Sequence, residues 1–273
     1  MTAKYKKEDI LNIHLTWNEN SDDLDNVLFK QNKIFVKKLN CESIVNGTQG
    51  KIDINSLTNL GTTLLNDQNL NQCFYSLTLP SRECFCGAHA VALAVDNINH
   101  TIYYHDSHGE DMRKEMRDYL ALLLPDYKMD INHSKQQQDV INPLVPEEND
   151  NSCALLTKYN LRDIWYKING HPDKVCNFSS IEARKNAWSI LKDIKKEEPK
   201  TSYKAKKPTF VIGVKKAPSK EDCEHIKQAE ITDFKYRMYN EPNYAEMLQE
   251  AVQKAKSNHI AHCKQIMNHN RSW

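Results

Sequence analysis

Glycine is scarce in this chain: 7 residues among 273, where average usage would give about 19. Neither G-x-G-x-x-G nor G-x-x-x-x-G-K-[ST] occurs, which removes enzymes that cradle phosphates on glycine-rich loops. Cysteine is also thin for its class. Eight residues are too few for a disulfide-stapled scaffold, so free thiols in a reducing compartment are the expectation. No long apolar run exists. The longest, Ala88 to Val95, is interrupted by His89 and falls far short of the roughly 20 residues that span a bilayer. The opening MTAKYKKEDI is basic and has no apolar core, so it does not read as a secretory signal. The expected setting is cytoplasmic; a bacterial protein exported by a dedicated machine into another cell would look the same. Charge of one sign is missing as well. Lys+Arg 37 against Asp+Glu 36 leaves +1, which excludes bulk charge as a driver of nucleic-acid or membrane binding.

What is abundant is asparagine, with 27 residues, a compositional bias without direct chemical meaning. Lysine and proline crowd residues 195–220 (KKEEPKTSYKAKKPTFVIGVKKAPSK). That stretch reads as a basic linker around a strand-like Thr209–Val214, and as a candidate contact for an acidic ligand such as a phosphate-rich lipid or an inositol phosphate.

The remaining pattern is α+β: a mixed central sheet flanked by helices, with an extra helical region at the C-terminus. The expected divisions are a catalytic body over 1–195, the linker over 196–220 and a helical tail over 221–273. Residues 6–16 suit a short helix and 27–38 read as strand-like. Ile54, Leu57, Leu60 and Leu64 have helical spacing. Residues 73–80 alternate like a strand, and 88–96 with 100–106 form a hairpin about Asn97–Asn99. Residues 110–124 form an amphipathic helix stopped by Pro125, and 127–133 another strand. A polar stretch, 134–152, precedes a helix over 153–168. Ser179-x-x-Glu182 is a capping box opening a helix over 178–195. Residues 221–269 read as two helices broken near Asn240–Pro242.

Cys153 carries the most chemical information. It follows the cap-type residues Asp150, Asn151 and Ser152 and precedes Ala-Leu-Leu. A thiol at a helix N-terminus feels the positive end of the dipole, which favours thiolate. His89 opens an apolar strand, where a polar ring needs a reason, and Asp106 closes the partner strand. A hairpin sets the start of one strand beside the end of the other, so the two are expected to be neighbours. That is the placement of a base and its orienting acid, with Nδ1–H to the carboxylate and Nε2 to the thiol. His105 and His108 are read as loop-facing neighbours of the acid.

The order His89-x16-Asp106-x46-Cys153, with the acid in Tyr-Tyr-His-Asp-Ser, resembles the clan CE cysteine proteases. These include SUMO-specific proteases, the adenovirus endopeptidase and bacterial effector deubiquitinases. FYSLTLP and KKEDI resemble that family's leading strand and opening helix. The resemblance covers about residues 5–170 and implies an isopeptidase acting after the C-terminal glycine of ubiquitin or a ubiquitin-like modifier, with no cofactor. Two positions depart from it. Ala90 stands where the family has a tryptophan that clamps the substrate tail, and Ala154 stands where it has glycine. The family's oxyanion glutamine precedes the cysteine by a few residues, and here Glu147 stands six residues before it. A carboxylate there repels an oxyanion. The nearest glutamines are Gln136, Gln137 and Gln138, and Gln138 is the expected donor if 139–150 loops outward, with the Cys153 backbone N–H as the second. Three alternatives stay open at this point. They are an acetyltransferase of the related effector family, a catalytically weak module that binds a ubiquitin-like partner, and a metal site built from Cys84-x-Cys86-x2-His89, Cys223-x-His225 or His259-x2-His262-Cys263.

Overall fold

The computed structural model describes residues 21–41, 54–80, 88–132, 137, 153–197 and 243–270. Its centre is a five-stranded mixed sheet in sequence order: β1 (Val36–Asn40), β2 (Gln72–Pro80), β3 (Ala88–Asp96), β4 (Thr101–His105) and β5 (Lys128–Asn132). The outer pairs β1/β2 and β4/β5 are parallel, and the inner pairs β2/β3 and β3/β4 are antiparallel. The chain is therefore α+β.

The connections decide which face each helix takes. Parallel neighbours require a crossover, filled here by α2 (Ile54–Asn66) between β1 and β2 and by α3 (Lys114–Leu123) between β4 and β5. Both crossovers step the same way across the sheet from strands pointing the same way. Right-handed connection then puts both helices on one face. Leu57, Leu60 and Leu64 of α2 and Met116, Tyr119 and Leu120 of α3 pack there, against Val91, Leu93 and Val95 of β3. The other face carries α4 (Cys153–Ile168), with α1 (Ser21–Phe29) and α5 (Ser180–Glu197) beside it. Period-two alternation gives that face Ala92 and Ala94. Their small side chains let α4 lie close over the middle of the sheet, where Leu155, Leu156 and Tyr159 are buried.

The long C-terminal helix, α6 (Tyr244–Asn270), belongs to the first layer. Leu248, Ala251, Val252 and Ala255 complete the core of α2 and α3. Gly61 makes the close approach possible. A Cβ placed there would lie 2.0 Å from the Tyr119 hydroxyl and 3.1 Å from Ala255 Cβ. At the far end of α2, Asp67 accepts from Lys37 Nζ at 2.5 and 2.7 Å and from Tyr75 Oη at 2.8 Å, tying helix to sheet.

Most elements fall where the sequence pattern puts them. The hairpin turns at 97–100, α4 opens at Cys153, and the capping box forms: the Glu182 carboxylate accepts from Ser179 N–H at 2.9 Å and Ser179 Oγ at 2.8 Å. The strand expected over 27–38 is corrected. Residues 21–29 are helical, a 3-10 turn follows over Lys30–Asn32, and only Val36–Asn40 is strand. Leu24 and Leu28, one helical turn apart, bury against α4 and α5, and that burial outweighs the local alternation of Val27, Phe29, Ile34 and Val36. The helix expected over 6–16, the strand Thr209–Val214 and the first tail helix lie outside the described residues.

Candidate active site

The hairpin geometry brings His89 and Asp106 together. Ala92 pairs with His105, so continuing the register by one residue sets Asp106 across from Val91 and diagonal to His89. His89 Nε2 lies 2.8 Å from Asp106 Oδ1, with side chains only 13% and 3% exposed. The chain then turns sharply. Gly109, at φ 71°, returns its N–H to the Asp106 carbonyl at 3.0 Å, and His108 N–H donates to Asp106 Oδ1 at 2.8 Å. Tyr104 Oη donates to the other carboxylate oxygen at 3.3 Å. Three donors thus fix the acid.

Cys153, the first residue of α4, hydrogen-bonds to His89. Burial alone pushes its thiol up. The His89 hydrogen bond, the backbone N–H groups of Ala90 and Ala154 and the His89 charge outweigh burial, and the net effect is a lowered pKa. The Ala90 amide is free to serve because β4 pairs with β3 only from Ala92 onward, which leaves the edge of β3 open there. The Ala154 amide is one of the unpaired N–H groups of the helix start. For His89, burial opposes charging, but hydrogen bonds to Asp106 and Cys153 and their charges raise it from 6.5 to about 9. Asp106, although buried, is held below the usual carboxylate range by the His89 hydrogen bond and charge and by the His108 amide. All three shifts favour a thiolate–imidazolium–carboxylate row at neutral pH.

The ring orientation expected from sequence is corrected. Nε2, not Nδ1, faces the carboxylate, leaving Nδ1 for the thiol. Asp106 sits past the end of β4, out along the imidazole, where the more distant nitrogen reaches it.

His108 was missed as a participant. Its ring packs on the His89 ring, with centroids 4.3 Å apart and planes at 40°. The Asp-Ser-His-Gly turn signature was the available signal, since such a turn folds its third residue back towards the strand end. His105 is not loop-facing. It ends β4, buried, and burial with the nearby Lys167 charge lowers it to about 4.

Gln138, Glu147 and the cap residues 150–152 lie outside the described residues. Gln137 is described, and its side chain is committed elsewhere. Its Nε2 donates to Asn160 Oδ1 at 3.0 Å and to the Phe178 carbonyl at 2.9 Å, while its Oε1 accepts from Asn160 Nδ2 at 2.9 Å. Its backbone bridges the Ser107 carbonyl and the Ser180 N–H. Gln137 therefore braces this end of the fold, and both of its amide hydrogens are already taken.

Of the metal motifs, those containing Cys84, Cys86, Cys223 and His225 fall outside the described residues. His259 and Cys263 do share a face of α6, with Sγ 3.7 Å from Nε2. Among the described residues no three His, Cys, Asp or Glu side chains converge to hold a metal ion. Nor is any described helix long and apolar enough to cross a membrane. No protein-family model matches the chain, and no curated protein matches it.

Proposed function

We propose that this chain is a cysteine isopeptidase of clan CE type, cleaving ubiquitin or a ubiquitin-like modifier after its C-terminal glycine. The observation that carries the reading is the row Cys153–His89–Asp106: a thiol at a helix start, lowered in pKa, beside an imidazole raised to about 9 and a carboxylate 2.8 Å from its far nitrogen. A resting ion pair of this kind is a poised nucleophile.

The Cys153 thiolate attacks the glycine carbonyl carbon, and its electron pair passes to the carbonyl oxygen. The resulting oxyanion takes hydrogen bonds from the Cys153 N–H and a side-chain amide, for which Gln138 is the candidate. His89 gives its Nδ1 proton to the departing lysine amine as the C–N bond breaks. Water, deprotonated by the now neutral His89, then hydrolyses the thioester and restores the thiol. Asp106 holds the ring and its charge throughout. Ala90 presents no ring over the substrate tail, so the tail is gripped differently from the pattern the sequence resembles. Delivery into a host cell by a bacterium belongs to the same reading, supported by the resemblance and the asparagine-rich composition.

The test is labelling by ubiquitin and SUMO bearing a C-terminal electrophile. Wild type is expected to form the thioether adduct with at least one of them, and Cys153→Ala with none. Equal labelling of wild type and variant, or none by wild type, refutes the assignment.

A further inference from the structure

A groove of about 310 Å³ lies on the face of the sheet that carries α4, between the 3-10 turn after α1, strand β1 and α4 itself. Its floor is apolar, built from Phe29, Ile34, Val36 and Leu161, and Phe35 stands beside it 85% exposed. A large ring left that bare next to an apolar trough is uncommon on a surface with nothing to contact. Lys30, Lys33 and Lys38 form the rim. They are exposed and pair with no carboxylate among the described residues. Inside the groove Lys158 and Asp25 pair with each other, so among the described residues the rim is net positive. Lys33 also holds a left-handed backbone, φ 55°, which costs a lysine roughly 1 kcal/mol that asparagine or glycine largely avoids.

The groove is near the nucleophile. Lys158 is five residues from Cys153, about 1.4 helical turns and about 7.5 Å along the axis of α4. Lys38 pairs with Ser76 and Val36 with Phe74, three and five residues before Leu79, the partner of His89; that is about 10–17 Å along the strands and about 10 Å across two strand spacings, roughly 14–19 Å in all. An extended tail of about six residues spans such a distance.

We infer that this groove is the docking site for the folded body of the modifier whose tail enters the active site, and that it selects a modifier presenting an apolar side chain ringed by carboxylates. This rests on the isopeptidase reading above. Three lysines around an apolar floor complement an acidic rim, and opposed charge there sets partner choice and encounter rate. The inference therefore favours an acidic modifier such as SUMO over ubiquitin.

The experiment uses the full chain as Cys153→Ala, titrated with SUMO and with ubiquitin at several salt concentrations. SUMO is expected to bind more tightly, with affinity falling as salt rises. Lys30→Glu/Lys33→Glu/Lys38→Glu and, separately, Phe35→Ala should each weaken SUMO by about tenfold or more. Lys33→Asn suits the left-handed backbone, so it should fold at least as well as wild type and still lose about two- to fivefold. In the active chain the same variants should raise KM for a fluorogenic SUMO substrate and leave turnover of its isolated tail peptide unchanged. Binding of neither modifier, or equal binding by the charge-reversed variant, overturns the inference. If Cys153 fails to label with either electrophile while docking persists, the isopeptidase reading alone falls.

Discussion

Replacing Asp106 by Asn tests the charge of the acid separately from its geometry. Its carboxylate takes His89 Nε2–H and His108 N–H on Oδ1 and Tyr104 Oη on Oδ2. An asparagine keeps all three contacts: its carbonyl oxygen accepts the first two, and its amide donates to the tyrosine once that hydroxyl rotates. Only the negative charge disappears. The rise of His89 from 6.5 to about 9 is worth about 3 kcal/mol of preference for the charged ring. Asp106 contributes to it through both a hydrogen bond and its charge, against the cost of burial, so removing that charge should shift the equilibrium by about tenfold or more. With the ring less often charged, the thiolate loses its counter-ion and its pKa climbs. The assay is pH-dependent alkylation by iodoacetamide, read at Cys153 by peptide mass mapping. Cys176 is exposed and its burial-raised thiol serves as an internal control. In wild type the Cys153 rate should plateau below the pH of an ordinary thiol, and any kcat/KM profile should fall as pH rises through about 9. In Asp106→Asn the alkylation curve should move up in pH and the kcat/KM limb down. The linkage has a definite sign: a raised histidine stabilises the fold fully below 6.5 and loses that contribution as pH rises through about 9. The variant's stability deficit should therefore shrink above pH 9. A Cys153 profile that superimposes on wild type refutes the ion-pair argument.

Two further predictions concern the scaffold. Gly61→Ala pushes a methyl to within 2.0 Å of the Tyr119 hydroxyl and should lower stability by about 1–3 kcal/mol in a urea melt; Tyr119→Phe in the same chain should recover part of it, and no rescue would show that the strain lies elsewhere. Ser179→Ala removes one half of the capping box and should cost about 1 kcal/mol by the same melt, with Cys153 alkylation unchanged.

The sequence made the site legible where the relevant physics was local. The start of α4 at Cys153 follows from a run of cap-type residues before an apolar stretch. The neighbourhood of His89 and Asp106 follows from hairpin register alone. What escaped was set by contacts distant in sequence. Residues 21–29 became helix because Leu24 and Leu28 find α4 and α5. The choice of imidazole nitrogen depends on how far Asp106 sits past the end of β4. The last helix was legible as a helix beyond the break near Asn240–Pro242, but its seat depends on Gly61, nearly two hundred residues earlier.

Gln137 gives the molecule room to change. It anchors the chain to Ser107, Asn160 and Ser180, and the chain is next held at Cys153 by the helix it opens. Residues 138–152 therefore begin and end at fixed posts. Doubling the length of such a connection adds only about 0.6 kcal/mol of closure entropy, and the bonds that join thiol, ring and carboxylate to one another run between residues outside it. Beyond Gln138, this interval is where insertions and deletions can accumulate across descendants of the sequence, retuning what approaches the thiol while thiol, ring and carboxylate stay in register.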